Sequence, residues 1–389
     1  MKQVIATEKK PIKLWLDDIE SGAFEQVKNL ANLPFVFKHV AVMPDAHVGY
    51  GMPIGGVMAS EEMVIPNAVG VDIGCGMCAV RTSLTTLPTE KLKLALGEIR
   101  RTIPLGFKHH TKQQDPRFMP KAEIPLTELP VVASQYQSAL TQLGTLGGGN
   151  HFIEIQKGND GHIWLMVHSG SRNLGFKVAN YYNRLAIALN KQWGSKIPSN
   201  WQLAFLPVTS VAGQAYLREM HYCVDFAYAN RKMMMERIKE AILSVAHPVS
   251  FEPMINIAHN YAALEEHYRE RVIVHRKGAT RAQAGEIGII PGSQGSPSYI
   301  VRGKGNRESF ESCSHGAGRK MGRKQAQRQL NLEQEKKRLD DQGIIHAVRS
   351  VSDLEEATGA YKDIDEVMGN QLDLVEVLVE LRPLAVVKG

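Results

Sequence analysis

The chain has 389 residues with a formal net charge of +6, and 43% of its residues are hydrophobic and 22% charged. This composition excludes disordered and collagen-like proteins. Four cysteines are too few for a disulfide framework, no apolar run reaches the ~18 residues of a membrane span, and the N-terminus lacks the apolar core of a signal peptide. We therefore expect a reduced, cytoplasmic protein with no membrane partner, whose mildly basic charge permits an anionic one.

The predicted elements are strands and helices that do not alternate as βαβ units. Short β-branched runs between glycine clusters predict strands at 40–43, 272–274 and 287–290. Helical periodicity predicts helices over 176–193, 213–245, 317–339 and 364–381. We therefore predict an α+β fold, and in the absence of a clear linker we expect one large domain over residues 1–389. A chain of this length folds without metal, so metal ligands are expected to be functional.

The first segment that suggests chemistry is Gly70-Val-Asp-Ile-Gly-Cys-Gly. Its glycines permit a tight turn that directs the Asp72 carboxylate and the Cys75 thiolate toward one point. The alternative is a glycine-rich turn with a buried cysteine. Cys78 completes a Cys-x-x-Cys pair, but no second pair exists for a four-cysteine zinc site, and no helix is predicted after it, as a redox motif would require.

The segment from His151 to His168 predicts a β-hairpin around residues 158–161. A turn centred between Asn159 and Asp160 would place His151 opposite His168, with Cβ atoms about 4.5–5.5 Å apart. The two imidazoles would then form half of a metal site. One surface and one core histidine are the alternative.

His259 follows a predicted apolar strand at 254–258, where a strand end can present a ligand. With Asp72, Cys75, His151 and His168, it makes a set of one carboxylate, one thiolate and three imidazoles. Five ligands exceed one tetrahedral site and suit two metal ions that share a ligand. From ligand softness alone, zinc is the expected metal.

Two later segments are rich in glycine and polar groups. Residues 291–298, Pro-Gly-Ser-Gln-Gly-Ser-Pro-Ser, form a loop whose amides and hydroxyls would hold a phosphate or nucleobase, or an ordinary turn. His315 precedes Gly316 and a predicted helix that carries basic residues from Arg319 to Arg328. An imidazole at a helix entrance would attack phosphorus while the basic face holds a phosphate backbone. The alternative is a solvated basic helix behind a turn histidine.

The chain's end also suggests a buried role. Residues 384–387 are apolar and follow Pro383, which predicts a short buried strand. This strand would carry Lys388 into the core, where a charged group needs an anionic or polar partner. The alternative is a frayed tail.

Together these segments are similar to one known family along nearly the whole chain and in the same order. The matching motifs are Met43-Pro-Asp-Ala-His-Val-Gly-Tyr-Gly, Gly70-Val-Asp-Ile-Gly-Cys-Gly, Leu146-Gly-Gly-Gly-Asn-His-Phe-Ile-Glu, His168-Ser-Gly-Ser-Arg, His259-Asn-Tyr, Arg276-Lys-Gly-Ala, Pro291-Gly-Ser, Ser312-Cys-Ser-His-Gly-Ala-Gly-Arg, Ala360-Tyr-Lys-Asp-Ile and Val387-Lys-Gly. The chain thus resembles the RtcB family of GTP-dependent RNA ligases, which join 3′-phosphate or 2′,3′-cyclic-phosphate ends to 5′-hydroxyl ends in RNA splicing or repair.

The resemblance implies mixed sheets with flanking helices around a central metal cleft, and we expect a monomer. It implies two Mn²⁺ ions bridged by Cys75, with Asp72 and His151 at one ion and His168 and His259 at the other, which replaces the zinc expectation. It also implies that GTP transfers GMP to the nucleophile His315, and that an RNA(3′)pp(5′)G end follows. The residues that match guanylate-binding positions are Asn150, His151, Phe152, Ile153, Glu154, His259, Asn260, Pro291, Gly292, Ser293, Gln294, Ser298, His315, Gly316, Ala317, Gly318 and Lys388.

Two functions compete with this interpretation. One is a manganese-dependent RNA-end phosphodiesterase that no longer ligates, and the other is a non-catalytic RNA-binding protein. The intact ligand set disfavours the second, because a binding module has no use for buried imidazoles around a thiolate. The chain departs from the family's usual pattern at Gly148 and Gln294. Both positions lie near the expected guanylate, so these departures bear on nucleotide selectivity.

Overall fold

The computed structural model describes residues 1–389. The strands are β1 (Gln3–Ile5), β2 (Ile12–Leu14), β3 (Val36–Tyr50), β4 (Met52–Ser60), β5 (Met63–Val64), β6 (Gly76–Arg81), β7 (Phe152–Gly158), β8 (Ile163–Ser169), β9 (Leu206–Pro207), β10 (Ile255–Ala258), β11 (Asn260–His267), β12 (Glu270–Lys277), β13 (Ala279–Arg281), β14 (Ile287–Ile290), β15 (Ser298–Gly303), β16 (Ser312–Ser314) and β17 (Val375–Lys388). The helices are α1 (Ser21–Ala31), α2 (Pro66–Val69), α3 (Thr89–Thr102), α4 (Pro130–Gln142), α5 (Arg172–Gln192), α6 (Val211–Leu243), α7 (Arg323–Gln329), α8 (Leu332–Asp340) and α9 (Ile364–Gly369).

Two large sheets dominate the fold. One has the order β1-β2-β3-β4-β12-β11 and the other the order β10-β6-β8-β7-β17-β15-β14. Neighbouring strands pair antiparallel, except for the parallel pair β2–β3. The prediction of an α+β fold is therefore confirmed.

Helices cover the second sheet because its strands are apolar on that side. Ile153, Ile155 and Val167 of the central hairpin are fully buried and share one core cluster with residues of α3 and α6. The long helices α4, α5 and α6 contribute most residues of a second buried cluster. No helix combines the length and the apolar character that a membrane crossing requires.

The predicted helices at 176–193 and 213–245 are confirmed as α5 and α6, and the three predicted strands lie in β3, β12 and β14. The predicted helix over 317–339 is wrong in its first quarter, residues 317–322. The chain is irregular from 317 to 322, and the rest divides into α7 and α8. Asn331 begins the second helix, since its side chain accepts a hydrogen bond from Gln334 N–H.

The predicted helix over 364–381 is also wrong. Only α9 is helical, and β17 begins at Val375. Alternating Val375, Val377 and Val379 suit a strand, and β17 gains its hydrogen bonds from β15 and β7, which lie far away in sequence. The buried strand predicted at 384–387 is confirmed as the end of β17, past an irregularity at Pro383, where a ladder donor is missing.

Candidate metal and nucleotide site

The β7–β8 hairpin carries two of the predicted ligands, but in a different register. Phe152, rather than His151, pairs with His168. The turn occupies residues 159–161, with Gly161 at φ +83°, and a three-residue turn shifts the pairing by one residue from the predicted two-residue turn. Because His151 lies just before the strand, its ring still contacts that of His168, with centroids 5.4 Å apart.

A tight turn between α2 and β6 presents Asp72 and Cys75. Cys75 N–H donates to Asp72 O at 3.1 Å, and Gly74 has φ +73°, a conformation that glycine adopts without strain. The Cys75 carbonyl in turn accepts a hydrogen bond from His259 N–H at 2.8 Å. The backbone therefore holds His259, between β10 and β11, directly against Cys75.

The five predicted metal ligands converge in two groups that share Cys75. The first contains Asp72, Cys75 and His151, the second Cys75, His168 and His259, and the ligand atoms of each group lie within 4.8 Å of one another. Cys75 Sγ is 3.5 Å from His151 Nε2 and 3.3 Å from His168 Nε2. His151 Nε2 is 3.1 Å from Asp72 Oδ2, and His168 Nε2 is 3.4 Å from His259 Nε2.

The chemistry of this donor set fits metal ions. Burial lowers the pKa values of His168 and His259 well below their ordinary value, which favours neutral, ligating imidazoles. His168 Nδ1–H donates to the Asn150 carbonyl at 3.1 Å, which leaves the lone pair on Nε2, toward Cys75. Burial, together with the Asp72 carboxylate, raises the pKa of the Cys75 thiol. A bound cation would reverse that shift and favour the thiolate.

His315 lies beside this cluster, with its ring centroid 4.8 Å from that of His259. Its Nδ1 donates to Asp45 Oδ2 at 2.6 Å, and its backbone N–H donates to the same oxygen at 3.0 Å. Asp45 is fully buried in β3; burial would raise its pKa, but the charge and hydrogen bond of His315 hold it below its ordinary value. Since Asp45 occupies Nδ1, Nε2 is the nitrogen left to act as a nucleophile.

The surroundings of His315 differ from those predicted, because no helix begins beside it. Residues 315–322 are irregular, and α7 begins only at Arg323. Gly318 has φ +72° and packs so closely on β3 that a Cβ there would lie 2.1 Å from Asp45 O. This contact holds the loop against the sheet. His315 is therefore surrounded by a loop and not by the N-terminus of a helix.

A pocket adjoins His315, and we name it the nucleotide pocket. Ser298 lies behind its 291–294 loop, where its Oγ accepts from Gly292 N–H at 3.2 Å. Ile153 does not reach it, because alternate residues of β7 face opposite sides and Ile153 packs in the helix-covered core. The predicted guanylate-binding residues that line it are Asn150, Phe152, Glu154, Pro291, Gly292, Ser293, Gln294, His315, Gly316, Ala317, Gly318 and Lys388.

A larger cleft of about 1300 Å³, the metal-side cleft, opens on the other side of His315. Asp72, Cys75, His259 and Asn260 line it. Asn260, which is predicted to bind guanylate, lines this cleft, and its side-chain amide also braces the metal turn by donating to Asp72 O at 3.0 Å.

Cations surround a single ionised carboxylate at the far wall of the nucleotide pocket. Arg319 and Arg323 each lie 3.2 Å from Glu356 Oε1, and Lys388 Nζ lies 3.8 Å from Glu356 Oε2. Burial raises the pKa of Glu154 to about 8, so that this second carboxyl is largely protonated at neutral pH. The pocket therefore has an excess of positive charge, which suits a phosphate-bearing ligand.

Comparison with known proteins agrees with this geometry. The family model described as tRNA-splicing ligase RtcB matches residues 26–389. The chain belongs to the RtcB family. It is 39% identical to the RNA-splicing ligase RtcB of Escherichia coli K12, over 100% of this chain and 99% of that protein. It is 35% identical to the tRNA-splicing ligase RtcB of Thermococcus kodakarensis, over 95% of this chain and 92% of the relative, and 31% identical to that of Methanococcus maripaludis, over 97% and 93%.

Membership of the RtcB family confirms the resemblance inferred from the motifs, but the motifs alone missed several residues of the site. Asp45 and Tyr361 lie inside two of the matched motifs, but the sequence alone indicates no role for either residue. Tyr361 lines the nucleotide pocket, and its hydroxyl donates to Glu356. The signal available was their place in the RtcB motifs, since neither residue type indicates this role by itself.

Proposed function

We propose that this RtcB-family protein is an RNA ligase that joins 3′-phosphate or 2′,3′-cyclic-phosphate ends to 5′-hydroxyl ends, with GTP as co-substrate and two Mn²⁺ ions as cofactors. One observation carries the proposal: His315 lines both the nucleotide pocket and the metal-side cleft. A nucleophile at this junction can take a guanylyl group from one side and pass it to RNA on the other.

In the first step, His315 Nε2 attacks the α-phosphorus of GTP, a P–N bond forms and pyrophosphate leaves. Asp45 holds the ring by Nδ1 and stabilises the positive charge that develops on it. Arg319, Arg323 and Lys388 line the pocket and would hold phosphate oxygens.

A 2′,3′-cyclic phosphate is first opened by water, which breaks its bond to O2′ and leaves a 3′-phosphate. In the second step, an oxygen of the RNA 3′-phosphate attacks the guanylyl phosphorus and His315 departs, which gives RNA(3′)pp(5′)G. The 5′-hydroxyl then attacks the 3′-phosphorus, GMP leaves, and a phosphodiester remains. We propose that Asp72, Cys75 and His151 hold one Mn²⁺, and Cys75, His168 and His259 the other. Bound Mn²⁺ would neutralise the negative charge that develops at phosphorus.

The choice of RNA ends tests this proposal. We expect an RNA 3′-phosphate or cyclic phosphate to be joined to a 5′-hydroxyl, and a 3′-hydroxyl not to be joined to a 5′-phosphate, because only the 3′-phosphate can accept the guanylyl group. Denaturing gel electrophoresis of labelled RNA measures the products. Joining of the 3′-hydroxyl and 5′-phosphate pair would indicate another class of ligase, and opening of the cyclic phosphate without joining would indicate the phosphodiesterase.

Lys388 provides a second test, at the nucleotide pocket. β17 places it opposite Phe152, with its Nζ 5.6 Å from the centroid of that ring. We expect Lys388→Ala to slow guanylylation by at least about tenfold, or roughly 1.4 kcal/mol of transition-state stabilisation. The melting temperature should barely change, because Glu356 retains Arg319 and Arg323 as partners.

Radiolabelled GMP transfer measures the effect of this change. Lys93→Ala, on the exposed face of α3, is the control and should transfer GMP like the unmodified protein. Unimpaired transfer in a chain that lacks residues 388 and 389 would contradict the role of Lys388.

A further inference from the structure

Helix α5 extends from the metal cluster across the surface. It begins at Arg172, four residues after His168, and a Cβ on the preceding Gly170 would lie 2.3 Å from Asp72 Oδ1. At a rise of 1.5 Å per residue, Tyr181 lies about 14 Å along the helix from Arg172. The residues that α5 exposes are therefore placed along a path that leads away from the metal cluster.

One face of α5 forms a wall of the metal-side cleft, through Asn180, Asn183, Ile187, Asn190 and Lys191. The Asn183 Oδ1 atom is buried without a hydrogen-bond partner. Asp72, a proposed metal ligand, is the only carboxylate residue in the whole lining of the cleft. The neutral amides suit the base edges of a nucleic acid, and the lack of carboxylates other than Asp72 suits its negatively charged backbone.

The adjacent face of α5 forms one wall of a groove of about 690 Å³ against α4, which we name the α4–α5 groove. Asn180 lines both this groove and the metal-side cleft, so the two adjoin at that residue. Phe176 and Tyr181 remain 47% and 48% exposed there. The Tyr181 ring is held edge-on against the buried Tyr182, with centroids 5.0 Å apart.

Two cations accompany these rings. Lys177 and Arg184 are exposed, line the groove, and form no salt bridge. No carboxylate lines the groove. Phe176, Asn180 and Arg184 repeat at four-residue spacing, as do Lys177 and Tyr181, so aromatic and cationic side chains alternate on neighbouring rows of one helix face. Exposed aromatic rings interleaved with cations are how proteins bind single-stranded nucleic acid.

We propose that the α4–α5 groove is a second RNA-binding site, which holds single-stranded nucleotides of the substrate away from the reacting end. Bases stack on Phe176 and Tyr181, and phosphates contact Lys177 and Arg184. This inference rests on the proposed ligase function. It adds a binding site for the part of the RNA strand that lies beyond the reacting end. With about 3.4 Å per stacked nucleotide, a trinucleotide held at the metal cluster ends short of Tyr181, whereas a dodecanucleotide covers the groove.

The experiment compares long and short RNA on the full chain. We expect Phe176→Ala/Tyr181→Ala to weaken the binding of a dodecanucleotide by at least about tenfold, measured by fluorescence anisotropy, because two stacking platforms are lost. Sealing of trinucleotides by the single variant Tyr181→Ala, and transfer of GMP from GTP to His315 by the double variant, should be unchanged, which also shows that the variants fold. The strand with the 3′-phosphate and the strand with the 5′-hydroxyl are lengthened in separate experiments. A loss of affinity for either long strand supports the site.

The charges give an independent readout. Lys177→Gln/Arg184→Gln should reduce the slope of log affinity against log salt by roughly 1.4, as expected for two phosphate contacts of a single strand. Arg269→Gln/Arg271→Gln is the matched control, because it removes two exposed cations at the far end of the β11–β12 hairpin. That control should leave the slope unchanged.

Unchanged dodecanucleotide affinity in both groove variants would overturn the inference and leave the groove to a protein partner. Failure of the ligase proposal looks different, since the unmodified protein would then neither take up GMP nor join any RNA.

Discussion

Incubation with α-labelled GTP and Mn²⁺ is expected to label the protein on His315, and His315→Ala is expected to carry no label. The geometry leads to this result because Asp45 occupies Nδ1 and leaves Nε2 free at the mouth of the nucleotide pocket. The bond formed is a phosphoramidate, so the label should be released by mild acid and survive base, whereas a serine phosphoester would survive acid. Gel autoradiography after each treatment, with mass spectrometry of the labelled peptide, measures the outcome.

Two further variants sharpen this test. Asp45→Asn removes the charge that stabilises the ring cation but keeps an oxygen for Nδ1–H, so labelling should persist at a rate lower by at least about tenfold. His162→Ala is the matched control, because His162 lies at the turn end of the β7–β8 hairpin, away from the metal cluster, and should label normally. Label that persists on His315→Ala would remove the nucleophile assignment.

Loss of Cys75 is expected to release both metal ions at once. Its Sγ belongs to both ligand groups, whereas every other ligand belongs to one. Cys75→Ala should therefore lower bound Mn²⁺ from two ions per chain toward none and abolish both guanylylation and sealing. Equilibrium dialysis with metal analysis measures the bound ions without depending on activity.

Single-group variants distinguish a shared ligand from general damage to the site. Asp72→Ala should weaken one ion and leave the other partly held, because His168, His259 and Cys75 remain. Cys78→Ala is the matched control: this cysteine is equally buried, but its Sγ lies 3.9 Å from Arg231 O and belongs to neither ligand group. Full Mn²⁺ occupancy in Cys75→Ala would refute the bridging role.

Local sequence was sufficient wherever a residue's role depends on its close neighbours. The glycines around Asp72 and Cys75 predict a tight turn, and the structure shows one. The apolar strand before His259 and the hairpin between His151 and His168 lie where predicted, so the five ligand candidates could be named together. The order of long motifs identified the RtcB family, which the comparisons confirm.

The tertiary structure decided what depends on partners distant in sequence. The helix predicted over 364–381 gives way to β17 at Val375, because β15 pairs with residues 375–381 and β7 pairs with residues 381–388. Asp45 became part of the site only through its contact with His315, 270 residues away. The loop around His315 stays irregular because Gly318 packs on β3. By itself, therefore, the sequence determined the family and named the candidate metal ligands and the candidate nucleophile. Strand pairing and long-range hydrogen bonds determined the orientation of these residues, since local propensities are too small to outweigh them.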